Sequence, residues 1–395
     1  LIDLGKYQIF ALPNAQRGVA MKLVVLPSSA FESRVKVTLD SGKEHELYLE
    51  SNLELDPKTD PWLYLLLPVC LRLGEDLEAQ GSLSTEAIAA FERAKQELLA
   101  GHSYMKPMKL VYNQEFAESD KPDNTKSVGS FFSGGLDSAY SAETEEEVDS
   151  LICVWGFDIA ISNPTHWNLT KDLVESYCSS LGKRPVTVKT NIRAAFNDVL
   201  EWGRDYHGSA LAGVGSALSK HFKAVYIAAG YKRVETNWGH FPALAKAYST
   251  PSIQIGESGP VRRIEKADAL ANNPRTPQIR VCYRNIKGLA NCGTCKKCVR
   301  TRLEFDLLNT PKRPLGLETR PKLKELFSTH INRADYKFYL DAIKYARAKG
   351  SKNTIAPLLA VSYARLRSKT QTLLAKLTKK KDPIQGNPRI SNQKA

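Results

Sequence analysis

No apolar run in this chain is long enough to cross a bilayer. The longest candidate, PWLYLLLPVCL, is interrupted by Pro68 and falls short of the roughly 18–20 residues that a spanning helix needs. The beginning shows no secretory-leader pattern, so a cytoplasmic location without a membrane partner is expected. The lysine-containing phosphate loop GxxxxGK[ST] is missing, which excludes a motor-type or GTPase-type nucleotide site. Spacing reveals no Ser-His-Asp set and no internal repeat. Seven cysteines, an odd number in a large chain without a leader, argue against a disulfide framework. Acidic residues are scarce in one place. From Pro311 to Ala395 there are 20 Lys/Arg and 5 Asp/Glu, whereas the other 310 residues carry 36 and 37. The net charge of +14 therefore belongs to the C-terminal segment. That segment is either a set of solvated helix faces or a surface for nucleic acid or another polyanion.

A length of 395 residues with 42% hydrophobic content fits a globular protein of two or three domains. Residues 1–118 read as an α+β domain. MKLVVLP, RVKVTLD and HELYLES have strand composition, with DSGKE as a hairpin-like turn. Asp60-Pro61 reads as an N-cap followed by proline, and SLSTEAIAAFERAKQELLAG as a second helix. Glu75-Asp76 reads as solvated surface. Residues 119–126 read as a linker.

Over residues 127–310 the rhythm becomes strand, helix, strand. SVGSFF, LICVWGF, PVTVKT, KAVYIAA and PSIQIG are strand candidates separated by helical segments. That alternation predicts an α/β domain with a parallel sheet covered on both faces. Ligands of such sheets sit at the carboxyl ends of the strands. Residues 311–380 read as a basic helical extension and 381–395 as a disordered tail.

SGGLDS directly follows the strand candidate SVGSFF and opens a helix. Gly134 and Gly135 let the backbone approach an oxyanion closely, and the helix N-terminus supplies unpaired N–H groups. Ser133 and Ser138 can donate hydroxyls. Asp137 cannot neutralise phosphate, so it is assigned to Mg²⁺ or to positioning the loop. Further on, CYRNIKGLANCGTCKKC spaces Cys282, Cys292, Cys295 and Cys298 as C-x9-C-x2-C-x2-C. Two-residue gaps bring thiolates onto one ion, and Cys282 can complete a tetrahedron. Zinc is the favoured ion and an iron–sulfur cluster the alternative. Cys153 and Cys178, in apolar surroundings, read as buried inert thiols. His240 reads as structural and Asp158 as a loop aspartate, although both fall near the expected ligand edge.

The loop SGGLDS resembles the signature of the PP-loop, or N-type ATP pyrophosphatase, superfamily over about residues 126–310. The resemblance implies a fold like that of adenine nucleotide alpha-hydrolases. It also implies that Ser133, Gly134, Gly135, Leu136, Asp137 and Ser138 bind the pyrophosphate of ATP and its Mg²⁺. Together with the cysteine cluster, the chain is similar to the 7-cyano-7-deazaguanine synthases, whose late four-cysteine zinc implies that Cys282, Cys292, Cys295 and Cys298 are ligands. VRRIEKADAL is similar to their lysine-bearing helix, implying phosphate contact by Lys266 with help from Arg262 and Arg263. The chain departs from that family in its N-terminal domain, its basic extension, one extra residue after Cys282, and the segment AAGYKRVETNWGHFPALAKAY. The resemblance thus points to a synthase-like paralogue acting on a related base, a protein or a nucleic acid. Such paralogues occur in antiphage operons.

The expected activity is that of an AMP-forming, C–N ligase-like enzyme using ATP, Mg²⁺ and a structural Zn²⁺. A small-molecule or macromolecular carboxylate or carbonyl oxygen would be adenylated, with Asp137 and Lys266 as the catalytic pair. RNA modification or thiolation, with RNA held by the basic extension, is a second reading. A non-catalytic ATP or AMP sensor is a third. A homo-oligomer stays open.

Overall fold

Segments rich in Val, Ile and Leu pair into one ten-stranded sheet in the computed structural model, which describes residues 20–112, 121–230, 238–286 and 288–379. The strands are β1 (Ala20–Leu26), β2 (Glu32–Thr38), β3 (Glu44–Ser51), β4 (Asp76–Ala79), β5 (Leu110–Tyr112), β6 (Ser127–Phe131), β7 (Ser150–Trp155), β8 (Arg184–Thr190), β9 (Phe222–Ala228) and β10 (Gln254–Ser258). Their order is β10-β9-β6-β7-β8-β3-β2-β1-β4-β5. The block from β10 to β8 is wholly parallel, as the five strand candidates of residues 127–310 require. The chain builds outward from β6 to β8, then returns to add β9 and β10 on the other side. That reversal beside β6 is the place where ligands of open α/β sheets bind.

The helices are α1 (Asp60–Leu73), α2 (Thr85–Gly101), α3 (Leu136–Thr144), α4 (Pro164–Leu181), α5 (Ile192–Ala195) and α6 (His207–Ala217), followed by α7 (Pro242–Ala247), α8 (Arg263–Leu270), α9 (Lys296–Leu307), α10 (Leu323–Ser328), α11 (Arg333–Ala348) and α12 (Ile355–Lys379). One core lies between the sheet and α1, α2, α6 and α7. The other joins the opposite face to α3, α4, α8, α9, α11 and α12. The protein thus has an α/β fold with a mostly parallel sheet.

The first core and the sheet run across the boundary expected near residue 118. β3 pairs antiparallel with β8 through Leu49 and Thr190. α1 packs so closely on α6 that a Cβ at Gly213 would come within 2.5 Å of Leu65. Two local expectations change. Thr59, not Asp60, occupies the N-cap position of α1. The Asp60 carboxylate instead accepts from Ser84 N–H at 2.9 Å and Ser84 Oγ at 2.6 Å, tying the starts of α1 and α2 together. Glu75 is buried rather than solvated, because its carboxylate accepts the Asp40 amide at 3.1 Å. The tail expected at 381–395 lies outside the described residues, as does part of the linker.

Candidate functional site

The glycine loop leaves the carboxyl end of β6, the middle strand of the parallel block, and enters α3. Gly134 has φ +75°, a conformation in which a side chain is strained. Its carbonyl accepts the Arg280 amide at 2.7 Å, which pins the loop to the segment leading into the cysteines. Gly135 is the N-cap position of α3 and offers no side-chain acceptor to the first-turn N–H groups. Ser138 Oγ donates to Gly135 O at 3.1 Å and Ser133 Oγ accepts from Gly135 N–H at 3.4 Å. The loop therefore holds its shape through its own serines, while the first-turn amides stay available to an anion.

Two cations of one further helix, α8, converge on this loop. Lys266 of α8 is fully buried, with Nζ 3.1 Å from Asp137 Oδ1 and bonded to the Ala229 carbonyl at the end of β9. Arg263, also buried, donates to Asp137 Oδ2 at 3.0 Å, to Thr301 Oγ1 at 3.0 Å and to Glu304 Oε2 at 3.2 Å. Burial alone would raise the Asp137 carboxyl. Lys266 and Arg263 outweigh it and hold the group below its ordinary value. The balance reverses at Glu304, where burial pushes the carboxyl up despite Arg263 and Arg300. Arg280 adds a further buried guanidinium, 3.2 Å from His166 Nε2 and bonded to Asn285. Burial, reinforced by Arg280, lowers the His166 pKa, which suits a neutral ring accepting from Arg280.

The four clustered cysteines meet as their spacing requires. All four Sγ atoms of Cys282, Cys292, Cys295 and Cys298 lie within 4.8 Å of one another. A tetrahedral zinc with Zn–S of about 2.3 Å sets its sulfurs about 3.8 Å apart, so the donor set fits and leaves no open position. Gly293, at φ +72°, turns the chain inside the first C-x2-C. Backbone amides of Arg284, Cys295 and Cys298 point at Cys282, Cys292 and Cys295 sulfurs over 3.3–3.5 Å, favouring thiolates. Cys295 also caps α9. One helix thus joins the cluster at its N-terminus to Thr301 and Glu304, the residues that hold Arg263.

The structure brings Ser133, Gly134, Gly135, Leu136, Asp137, Ser138, Arg263 and Lys266 to one place and the four cysteines to another, with α9 between. Arg262 does not join them: it pairs with Glu265 and lies over Tyr345. Asp158 is exposed beyond β7, and its carbonyl accepts from Asn285 Nδ2 at 2.8 Å. His240 places Nε2 3.3 Å from Glu257 Oε1 at the end of β10, with its side chain almost enclosed. Cys153 and Cys178 are buried, with thiol pKa values pushed up to about 12 and about 11 by burial. Sequence reasoning missed Arg280, Thr301 and Glu304. Comparison with known protein families, characterised proteins and solved structures gives no match.

Proposed function

We propose that this chain is an ATP-dependent activating enzyme of the PP-loop type, similar to the 7-cyano-7-deazaguanine synthases. The observation that carries the proposal is the convergence of Lys266 and Arg263 on the glycine loop at the sheet's reversal point. The loop amides and these two cations would bind the β- and γ-phosphates of ATP. A substrate carboxylate or carbonyl oxygen attacks the α-phosphorus. The bond to the bridging oxygen breaks and pyrophosphate leaves with its electron pair. A nucleophile such as ammonia then displaces AMP. The chain's contribution is alignment, together with fixed donors aimed at the leaving pyrophosphate. Asp137 holds Lys266 and Arg263 in place and is the carboxylate nearest the loop for Mg²⁺, which would neutralise phosphate charge when bound. The zinc is structural, its four thiolates leaving no position for chemistry.

The test is release of AMP and pyrophosphate from Mg-ATP, with a small-molecule extract and separately with total RNA, in wild type and Asp137→Ala. The reading expects release that requires one of the two fractions and vanishes in the variant. ADP and phosphate as products, or ATP binding without release in either fraction, would count against it.

A further inference from the structure

α12 carries an apolar stripe that nothing among the described residues covers. Ile355, Leu359, Tyr363, Leu366 and Leu373 each leave between 52% and 65% of their surface in solvent. From 359 the positions 363, 366, 370 and 373 follow at alternating steps of four and three, with Thr370 the one polar member, the spacing of a helix-pairing seam. The opposite face, through Ala360, Val361, Ala364 and Ser368, is the one buried against α10 and α11. α10 adds a second wall. Its Phe327 ring meets Tyr363 edge-on at 5.5 Å, and Leu323, one turn earlier, is also exposed. The result is an apolar groove rather than a single ridge.

Charge selects the occupant. From Ala342 to Lys381 the sequence has 11 Lys/Arg and no Asp or Glu. Of the positions flanking the seam, 367 and 369 are cationic, Lys369 exposed and Arg367 half-buried with its guanidinium donating to the Ser328 carbonyl at 2.6 Å. A second copy of the same helix would set these cations against each other. A flat lipid surface would meet the α10 wall as well as the seam. We infer that the α10–α12 groove is a docking site for an amphipathic helix of a partner protein, with an apolar seam flanked by Asp or Glu. The site is independent of the ATP chemistry and would bring the partner to the extension that packs on α8 and α9.

The probe is a synthetic four-heptad peptide, monomeric at the working concentration, with Leu at the seam and Glu at the flanking positions. Its counterpart carries Lys at those flanks. The full chain should bind the Glu peptide, more weakly as salt rises, and not the Lys peptide. Leu359→Glu/Leu366→Glu should weaken binding about 100-fold, the loss of two buried leucines, without lowering the melting temperature, since both side chains are exposed. Lys369→Glu should narrow the preference for the Glu peptide. The inference is overturned if wild type fails to discriminate the two peptides, or if the double variant binds as wild type does. It is also overturned if the groove variants instead abolish self-association, RNA binding or binding to phosphatidylserine vesicles.

Discussion

Replacing Asp137 by asparagine keeps the side-chain shape and removes one charge. That charge lies 3.1 Å from Lys266 Nζ and 3.0 Å from an Arg263 guanidinium nitrogen. Lys266 has no exposed surface, and among the described residues its other hydrogen-bond partner is the Ala229 carbonyl. Removing one member of a buried ion pair costs about 3–5 kcal/mol. Asp137 retains 29% of its side-chain surface, so the lower end, about 3 kcal/mol, is the expectation. With an unfolding entropy of about 2.1 cal/mol/K per residue, a chain of 395 residues has about 0.8 kcal/mol/K in all, and the melting temperature falls by about 4 °C. Pyrophosphate without Mg²⁺ should raise the melting temperature of Asp137→Asn by more than that of wild type, because the polyanion replaces the missing charge beside Lys266. Thermal unfolding with and without pyrophosphate reads both effects. A variant melting within about 1 °C of wild type would refute the buried-pair reasoning. Equal gains from pyrophosphate would refute the placement of the anion.

Cys298→Ser should lose the metal, read by zinc content. Because α9 links the cluster to Arg263, its pyrophosphate affinity should also fall, by about 10-fold; unchanged affinity would show that α9 does not couple the two. Asp60 gives a pH prediction. Burial pushes its carboxyl up to about 6, above the unfolded value of about 3.9. The folded state therefore binds the extra proton between these values, and the ionised group costs about 3 kcal/mol above pH 6. Asp60→Asn should be more stable than wild type at pH 7–8 and lose that advantage as the pH falls toward 4, measured by denaturant unfolding across the range. An advantage that does not change with pH would contradict the assignment.

Local signals carried well where chemistry and chain order coincide. The five strands β6 to β10 each coincide with an apolar segment visible in the sequence, and the glycine loop and the cysteine spacing are contiguous patterns. What escaped depends on contacts between distant segments. Nothing in HELYLES says that β3 will pair with β8, which extends one sheet past the expected linker. Arg262 and Arg263 are adjacent in sequence, yet the first flanks α8 and turns to Glu265 while the second points inward to Asp137. Arg280 has no motif around it, and its role comes from an amide bonded to Gly134. Thr301 and Glu304 read as ordinary positions of a polar helix until the fold sets them against Arg263. Glu75 looked solvated because the amide that it accepts belongs to Asp40, 35 residues earlier.

The central claim is that residues 133–138 hold the pyrophosphate of ATP. Amide hydrogen exchange, followed by mass spectrometry with and without Mg-pyrophosphate, tests it most directly. The account predicts slowed exchange in peptides covering 134–139, extending to the peptide that contains Arg280. Protection elsewhere with the loop unchanged at saturating pyrophosphate would contradict it.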